Sequence, residues 1–239
     1  AHQSVGAPLI GLSQDGLATF EPALVDELGV IIEWALEYMQ RDGDSKRDET
    51  NWLRDATGGS VYIRCSTRKI DQISREMSED LKRQIINGAY WLRKPGPNCE
   101  LVIAYQGVVA PEAIAAAGLA GEDRRDIGVL AITSSDRLNA GWQATQSERR
   151  HGTPSARSHV ERLLQEVPRN AAIITVHDGH PATLSWIGGV RGHRVAALGV
   201  EHFGQTGTIS DLYRHFEIDT EAILTTANEV PHGLPLRYA

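Results

Sequence analysis

Apolar residues at Val25, Leu28, Ile32, Leu36 and Met39 recur at the spacing of an α-helix, just after Pro22, a residue suited to a first helical turn. The pattern predicts one helix of about four turns with a single apolar stripe. Residues 41–49, RDGDSKRDE, mix both signs and read as a solvated loop. SVYIRC at 60–65 reads as a strand, and residues 80–92 carry a second helical pattern. KPGPN at 94–98 sets two prolines around a glycine, so neither a helix nor a central strand continues through it. Beyond it, strand-like runs at 100–105, 127–133, 172–176 and 195–200 alternate with helical patterns at 111–119, 136–148, 158–166, 181–190, 210–216 and 220–229. This βα alternation predicts an α/β domain with a doubly wound, mostly parallel sheet and helices on both faces. The pattern divides the chain into a partial α/β segment at 1–94, a linker at 95–98 and a complete domain at 99–239.

The 239 residues are 41% hydrophobic and 23% charged, as in an ordinary globular protein, and the formal charge is −7. That charge argues against a nucleic-acid or anionic-membrane partner, which would select a basic face. No apolar run approaches the roughly 20 residues that span a bilayer. Two cysteines, Cys65 and Cys99, make no disulfide framework. With no recognisable signal segment, they read as reduced thiols in a cytoplasmic protein, both buried as small hydrophobes. The opening AHQSVGAPLIG carries no Met and reads as a chain entered in mid-domain.

Candidate chemistry gathers where strands give way to helices, the usual place for ligands in such sheets. Gly204, Gln205, Thr206, Gly207 and Thr208 follow a strand and precede a helix with Ser210 as its expected N-cap. They could cradle a small anion or simply form a tight connection; the lysine of a P-loop is missing. His177, Asp178 and His180 in HDGH could ligate a metal or move protons, but spacing reveals no third ligand, and His180 before Pro181 could equally enter a helix. Arg64 and Arg68 straddle the end of a strand and could meet an acidic substrate or serve as surface charge. In SSDRLNAGW, Ser135 or Asp136 is the expected helix cap. His159 and His215 lie within amphipathic helices and read as ordinary. No G-x-S-x-G elbow occurs.

The order of these pieces is familiar. Residues 159–223, from HVERLLQEV through EHFGQTGTISDLYRHFEID, resemble the carboxy-terminal domain of the transketolase-like thiamine diphosphate enzymes. They look closest to the homodimeric pyruvate dehydrogenase first component. The run from Phe203 to Ile218 is the most specific piece. Residues 1–39 are similar to the second half of that family's pyrimidine-binding domain, and KPGPN falls at the family's domain join.

The resemblance implies a role for His2, with Gln3 and Ser4 as neighbours. In the family such a histidine enters the active-site channel and helps move protons, chemistry suited to an imidazole. It implies thiamine diphosphate and Mg²⁺ in the complete enzyme, which would decarboxylate a 2-oxo acid and pass the acyl group to a lipoyl carrier. The expected partners are the remaining N-terminal part or subunit, a second copy in a homodimer, and a lipoyl acyltransferase. The family's G-D-G…N cofactor motif is absent, and its activating glutamate would lie upstream of Ala1. The isolated chain is therefore expected to bind no cofactor or metal tightly and to be inactive alone. The alternatives are a dimerisation or assembly module that keeps the fold, and an unrelated enzyme built on His177, Asp178 and His180.

Overall fold

A computed structural model describes residues 4–47, 52–124, 126–202 and 204–230. In chain order its main elements are α1 (Leu9–Ser13), β1 (Leu17–Phe20), α2 (Val25–Tyr38), β2 (Ser60–Ile63), α3 (Glu79–Ile86) and β3 (Ala89–Arg93). They continue with β4 (Leu101–Gln106), α4 (Ala110–Asp123), β5 (Gly128–Ile132), α5 (Ser135–Arg150), α6 (His159–Gln165) and β6 (Ala172–His177). Then follow α7 (Ala182–Ser185), α8 (Gly188–Arg191), β7 (Arg194–Leu198), α9 (Ile209–His215) and α10 (Thr220–Glu229).

Among the described residues the strands form a parallel pair, β1–β2, and a five-stranded sheet in the order β3-β5-β4-β6-β7. In the larger sheet β4 runs parallel to both β5 and β6, and β6 to β7; β3 pairs antiparallel with β5. The pleat of β4 sends Leu101, Ile103 and Tyr105 into one core and Val102 and Ala104 into the other. Strands buried on both faces need the near-continuous apolar runs seen here, and the expected doubly wound architecture is the observed one.

The expected element at 80–92 changes. The helical pattern at 80–92 splits, because α3 stops at a turn where Gly88 takes φ +103° and the chain then becomes β3. A Cβ on Gly88 would come 2.4 Å from the Ser134 carbonyl oxygen, so a side chain fits neither the dihedral nor the space. Because β3 lies before KPGPN and still joins the five-stranded sheet, residues 94–98 connect two strands of one sheet.

The apolar stripe of α2 is not the face turned to the core. Val25 is 65% exposed and Leu36 is 55% exposed, with Ile32 and Met39 also outside. The buried flank carries Glu27, Ile31, Ala35 and Tyr38, about a quarter-turn round the helix. The aromatic cluster favours that flank: Trp34 stacks on Tyr38 at 4.4 Å and meets Phe20 of β1 edge-on at 5.4 Å.

Caps and thiols shift too. Ser134, one residue earlier than expected, caps α5 by accepting the Arg137 N–H at 3.0 Å. Thr208 rather than Ser210 caps α9. Cys99 is buried, but Cys65 is exposed.

Candidate functional site

Glu21 follows β1, Arg64 follows β2, Gln106 ends β4 and His177 ends β6, so the carboxyl ends of strands from both sheets meet at one place. Glu21 is its centre, at 5% exposure. Its Oε2 accepts a hydrogen bond from Gln106 at 3.1 Å and lies 2.8 Å from His177 Nε2. Its Oε1 is bound by the Arg64 guanidinium. Arg64 also donates to the Asp178 carbonyl at 2.7 Å and faces the Asp178 carboxylate at 3.8 Å. Gly107 leaves the room, since a Cβ there, at φ +71°, would stand 2.7 Å from Glu21 Oε1.

The electrostatics follow from this packing. Burial pushes the Glu21 carboxyl up, but His177 and Arg64 outweigh it and hold the group below the ordinary glutamate range. Burial raises Asp178 against the opposing pull of Arg64. His177 is 1% exposed, and its Nδ1 has no hydrogen-bond partner among the described residues.

Arg64 and Asp178 form the inner wall of a cavity of about 700 Å³, a size suited to a small molecule. Arg68, Tyr213, His202 and Gln205 line it as well, and Ser4 and Val5 border it from the chain start. Arg68 grips Glu112 of α4 through two hydrogen bonds, at 3.0 and 2.7 Å, and lies over the Tyr213 ring at 5.3 Å. The wall is therefore one of compensated charge: two guanidinium groups, each fixed by a carboxylate.

The structure brings some sequence candidates together and separates others. Arg64, Arg68 and Asp178 share the cavity, as do Gly204 and Gln205 of the loop before α9. His177 turns away toward Glu21, while His180 Nδ1 accepts the Ala182 N–H at 3.1 Å, which makes it a helix-entry residue. HDGH thus spreads its ligands in three directions. No three His, Cys, Asp or Glu side chains among the described residues gather as a metal would require. The charged groups of the cavity, Arg64, Arg68 and Asp178, do not fit a diphosphate-bound metal, which needs several oxygen ligands at one point. His2 and Gln3 lie outside the described residues; Ser4, two positions after His2, lines the cavity. Glu21 and Gln106 escaped sequence reasoning. Their signal was a polar residue at the end of an apolar strand, a weak cue without knowing which strand ends converge.

Among the described residues no helix is long and apolar enough to cross a membrane. The fold and the strand-end site define an α/β protein with a cavity at the carboxyl ends of its parallel strands. Residues 88–219 match the transketolase-like TK C-terminal domain, and the chain belongs to that family. No curated protein matches it in sequence. Its fold is similar to transketolase from Leishmania mexicana, with a TM-score of 0.65 at 17% identity, over 100% of this chain and 28% of that one. A transketolase from Pichia stipitis gives a TM-score of 0.64 at 16% identity, over 100% and 29% of the two chains. An inactive beta4 tetramer of a split-gene transketolase gives 0.58 at 11% identity, over 97% and 62%. The chain thus spans less than a third of the length of the first two of these transketolases.

Proposed function

We propose that this chain is the carboxy-terminal part, as a segment or a separate subunit, of a thiamine diphosphate-dependent enzyme. The complete enzyme decarboxylates a 2-oxo acid and passes the acyl group to a lipoyl carrier. The observation that carries this reading is the family match over 88–219, in a chain that covers 28% of a full transketolase. The choice of 2-oxoacid dehydrogenase over ketol transfer rests on the pyruvate-dehydrogenase-like run from Phe203 to Ile218.

In this reading the rest of the enzyme supplies the grip on thiamine diphosphate and Mg²⁺, and the cofactor supplies the electron sink for decarboxylation. His2 is the residue of this chain that meets the reacting centre and moves a proton there. The chain acts in the cytoplasm, in a homodimeric enzyme that meets a lipoyl acyltransferase. The buried Glu21–His177 pair is too deep to reach a substrate; it holds Arg64 in the cavity wall.

The test is a His2→Ala change in the assembled enzyme. Turnover is expected to fall about 100-fold or more, the usual range for losing an acid–base group, with cofactor affinity preserved. Unchanged turnover removes His2 from the mechanism. The alternative reading is a non-catalytic assembly module that keeps the fold. Assembly without thiamine-dependent turnover would establish it.

A further inference from the structure

The cavity that Arg64 and Arg68 share has two unlike walls. One is α9, where Ile209, Leu212, Tyr213 and the C-cap residue Phe216 line the space at the spacing i, i+3, i+4, i+7. Asp211 and Arg214 stand exposed on the rest of the helix. An amphipathic helix of this kind ordinarily presses its apolar face onto the core. Here the face is only partly covered: Tyr213 is buried, Leu212 and Phe216 are half-buried, and Ile209 is 47% exposed. Thr208 caps the start of the helix, and beyond its end the wholly buried Ile218 donates its N–H to the Tyr213 carbonyl at 2.9 Å. Both ends of the wall are thereby fixed.

The other wall is polar. The hydrogen bonds that hold Arg64 to Glu21 and the Asp178 carbonyl, and Arg68 to Glu112, leave N–H donors over on both guanidinium groups. Glu21 and Glu112 stand behind these groups, so Arg64, Arg68 and Asp178 are the charges that line the space. Two guanidinium groups against one carboxylate leave a single positive charge. That suits one carboxylate; a phosphate dianion would leave charge in excess beside Asp178. A few placed donors at one end and an apolar body at the other orient an amphipathic small molecule. The volume, about 700 Å³, lies within the roughly 300–1,000 Å³ of sites for drug-sized ligands. Pyruvate, with six non-hydrogen atoms, would leave most of it to water.

We propose that the cavity binds a monocarboxylate with a bulky apolar group, an aromatic or branched 2-oxo acid, and that α9 is the wall that selects that group. The carboxylate meets Arg64 and Arg68, and the apolar group lies on Ile209, Leu212 and Phe216. That the acid is the substrate rests on the function proposed above; the binding site itself does not. The chain start supports the link, because Ser4 and Val5, close in sequence to His2, border the same space. Substrate choice then falls to a helix of the carboxy-terminal domain that carries none of the acid–base chemistry.

Isothermal titration calorimetry of the 239-residue chain with phenylpyruvate and with pyruvate tests the site. Release of CO₂ from each acid by the native assembly captured through this chain tests its use. Phenylpyruvate is expected to bind at least about tenfold more tightly than pyruvate, the ratio for burying an apolar group of that size. Ile209→Glu alters a side chain already half in solvent and sets a carboxylate beside the apolar group; it should weaken phenylpyruvate about tenfold or more. Arg68→Met should weaken both acids, and Arg68→Lys should restore part of the loss. Circular dichroism checks that the variants fold. In the assembly Ile209→Glu should raise the KM for phenylpyruvate more than that for pyruvate. Equal binding of the two acids, or phenylpyruvate binding that Ile209→Glu and Arg68→Met leave unchanged, overturns the site and leaves the functional reading intact. Selective binding with decarboxylation of pyruvate alone keeps the site and overturns the bulky acid as substrate. Selective binding by an assembly that decarboxylates no 2-oxo acid keeps the site and overturns the functional reading.

Discussion

Glu21 shows how one buried charge organises a junction. Its carboxylate satisfies an imidazole, a guanidinium and an amide from three other strand ends. Glu21→Gln would leave Arg64 without its main counter-charge and is expected to cost about 3–5 kcal/mol, the range for breaking a buried ion pair. Urea denaturation at neutral pH measures it. Because the folded Glu21 is held below its ordinary pKa, its contribution is present above the unfolded value of about 4.5 and is lost as pH falls through the folded value. Asp136 has the opposite sign. Burial, against the Thr19 N–H and Arg137, raises it from 3.8 to about 7. The folded state then binds more protons than the unfolded state between those values, so this group makes the protein less stable as pH rises from about 4 to 7. The difference in stability between wild type and Asp136→Asn should change by at most about 1.4 kcal/mol per pH unit in that window. A difference that does not vary with pH would place the Asp136 pKa in its ordinary range.

At the scale of elements, α2 carries two apolar lines, and sequence periodicity alone could not say which one meets the sheet. Val25, Ile32, Leu36 and Met39 have the cleaner spacing, yet Ile31, Ala35 and Tyr38 are the ones buried. The deciding contacts, Trp34 with Phe20 and Tyr38, depend on where β1 lies. In thermal melts of the isolated chain, Ile31→Ala should therefore cost about 2–5 kcal/mol, as a fully buried truncation does. Ile32→Ala should stay within about 0.5 kcal/mol of wild type. Strands β4 to β7 were legible because apolar runs bounded by turn residues leave little else. Strand β3 was not, since AYWLR directly follows a helical pattern, and the glycine that separates them reads as a simple interruption. Its role depends on φ +103° and on the Ser134 carbonyl it must pass.

For the whole molecule, the α/β class and the wound sheet follow from alternation along the chain, and the family follows from the motif order. The site was legible only in pieces. Arg64, Arg68 and Asp178 were candidates, but the cavity that joins them exists because two sheets turn their carboxyl ends toward each other. In the proposed reading the activity belongs to a larger assembly, and its cofactor is the feature that most sharply separates the proposed enzyme from a bare assembly module. The direct measurement is release of CO₂ from carboxyl-labelled 2-oxo acids by the native assembly captured through this chain, with and without thiamine diphosphate. Decarboxylation that requires thiamine diphosphate, and is lost on replacing His2 with alanine, is the result expected. An assembly containing this chain that binds thiamine diphosphate but releases no CO₂ from any 2-oxo acid, or one that never takes up the cofactor, would contradict the account.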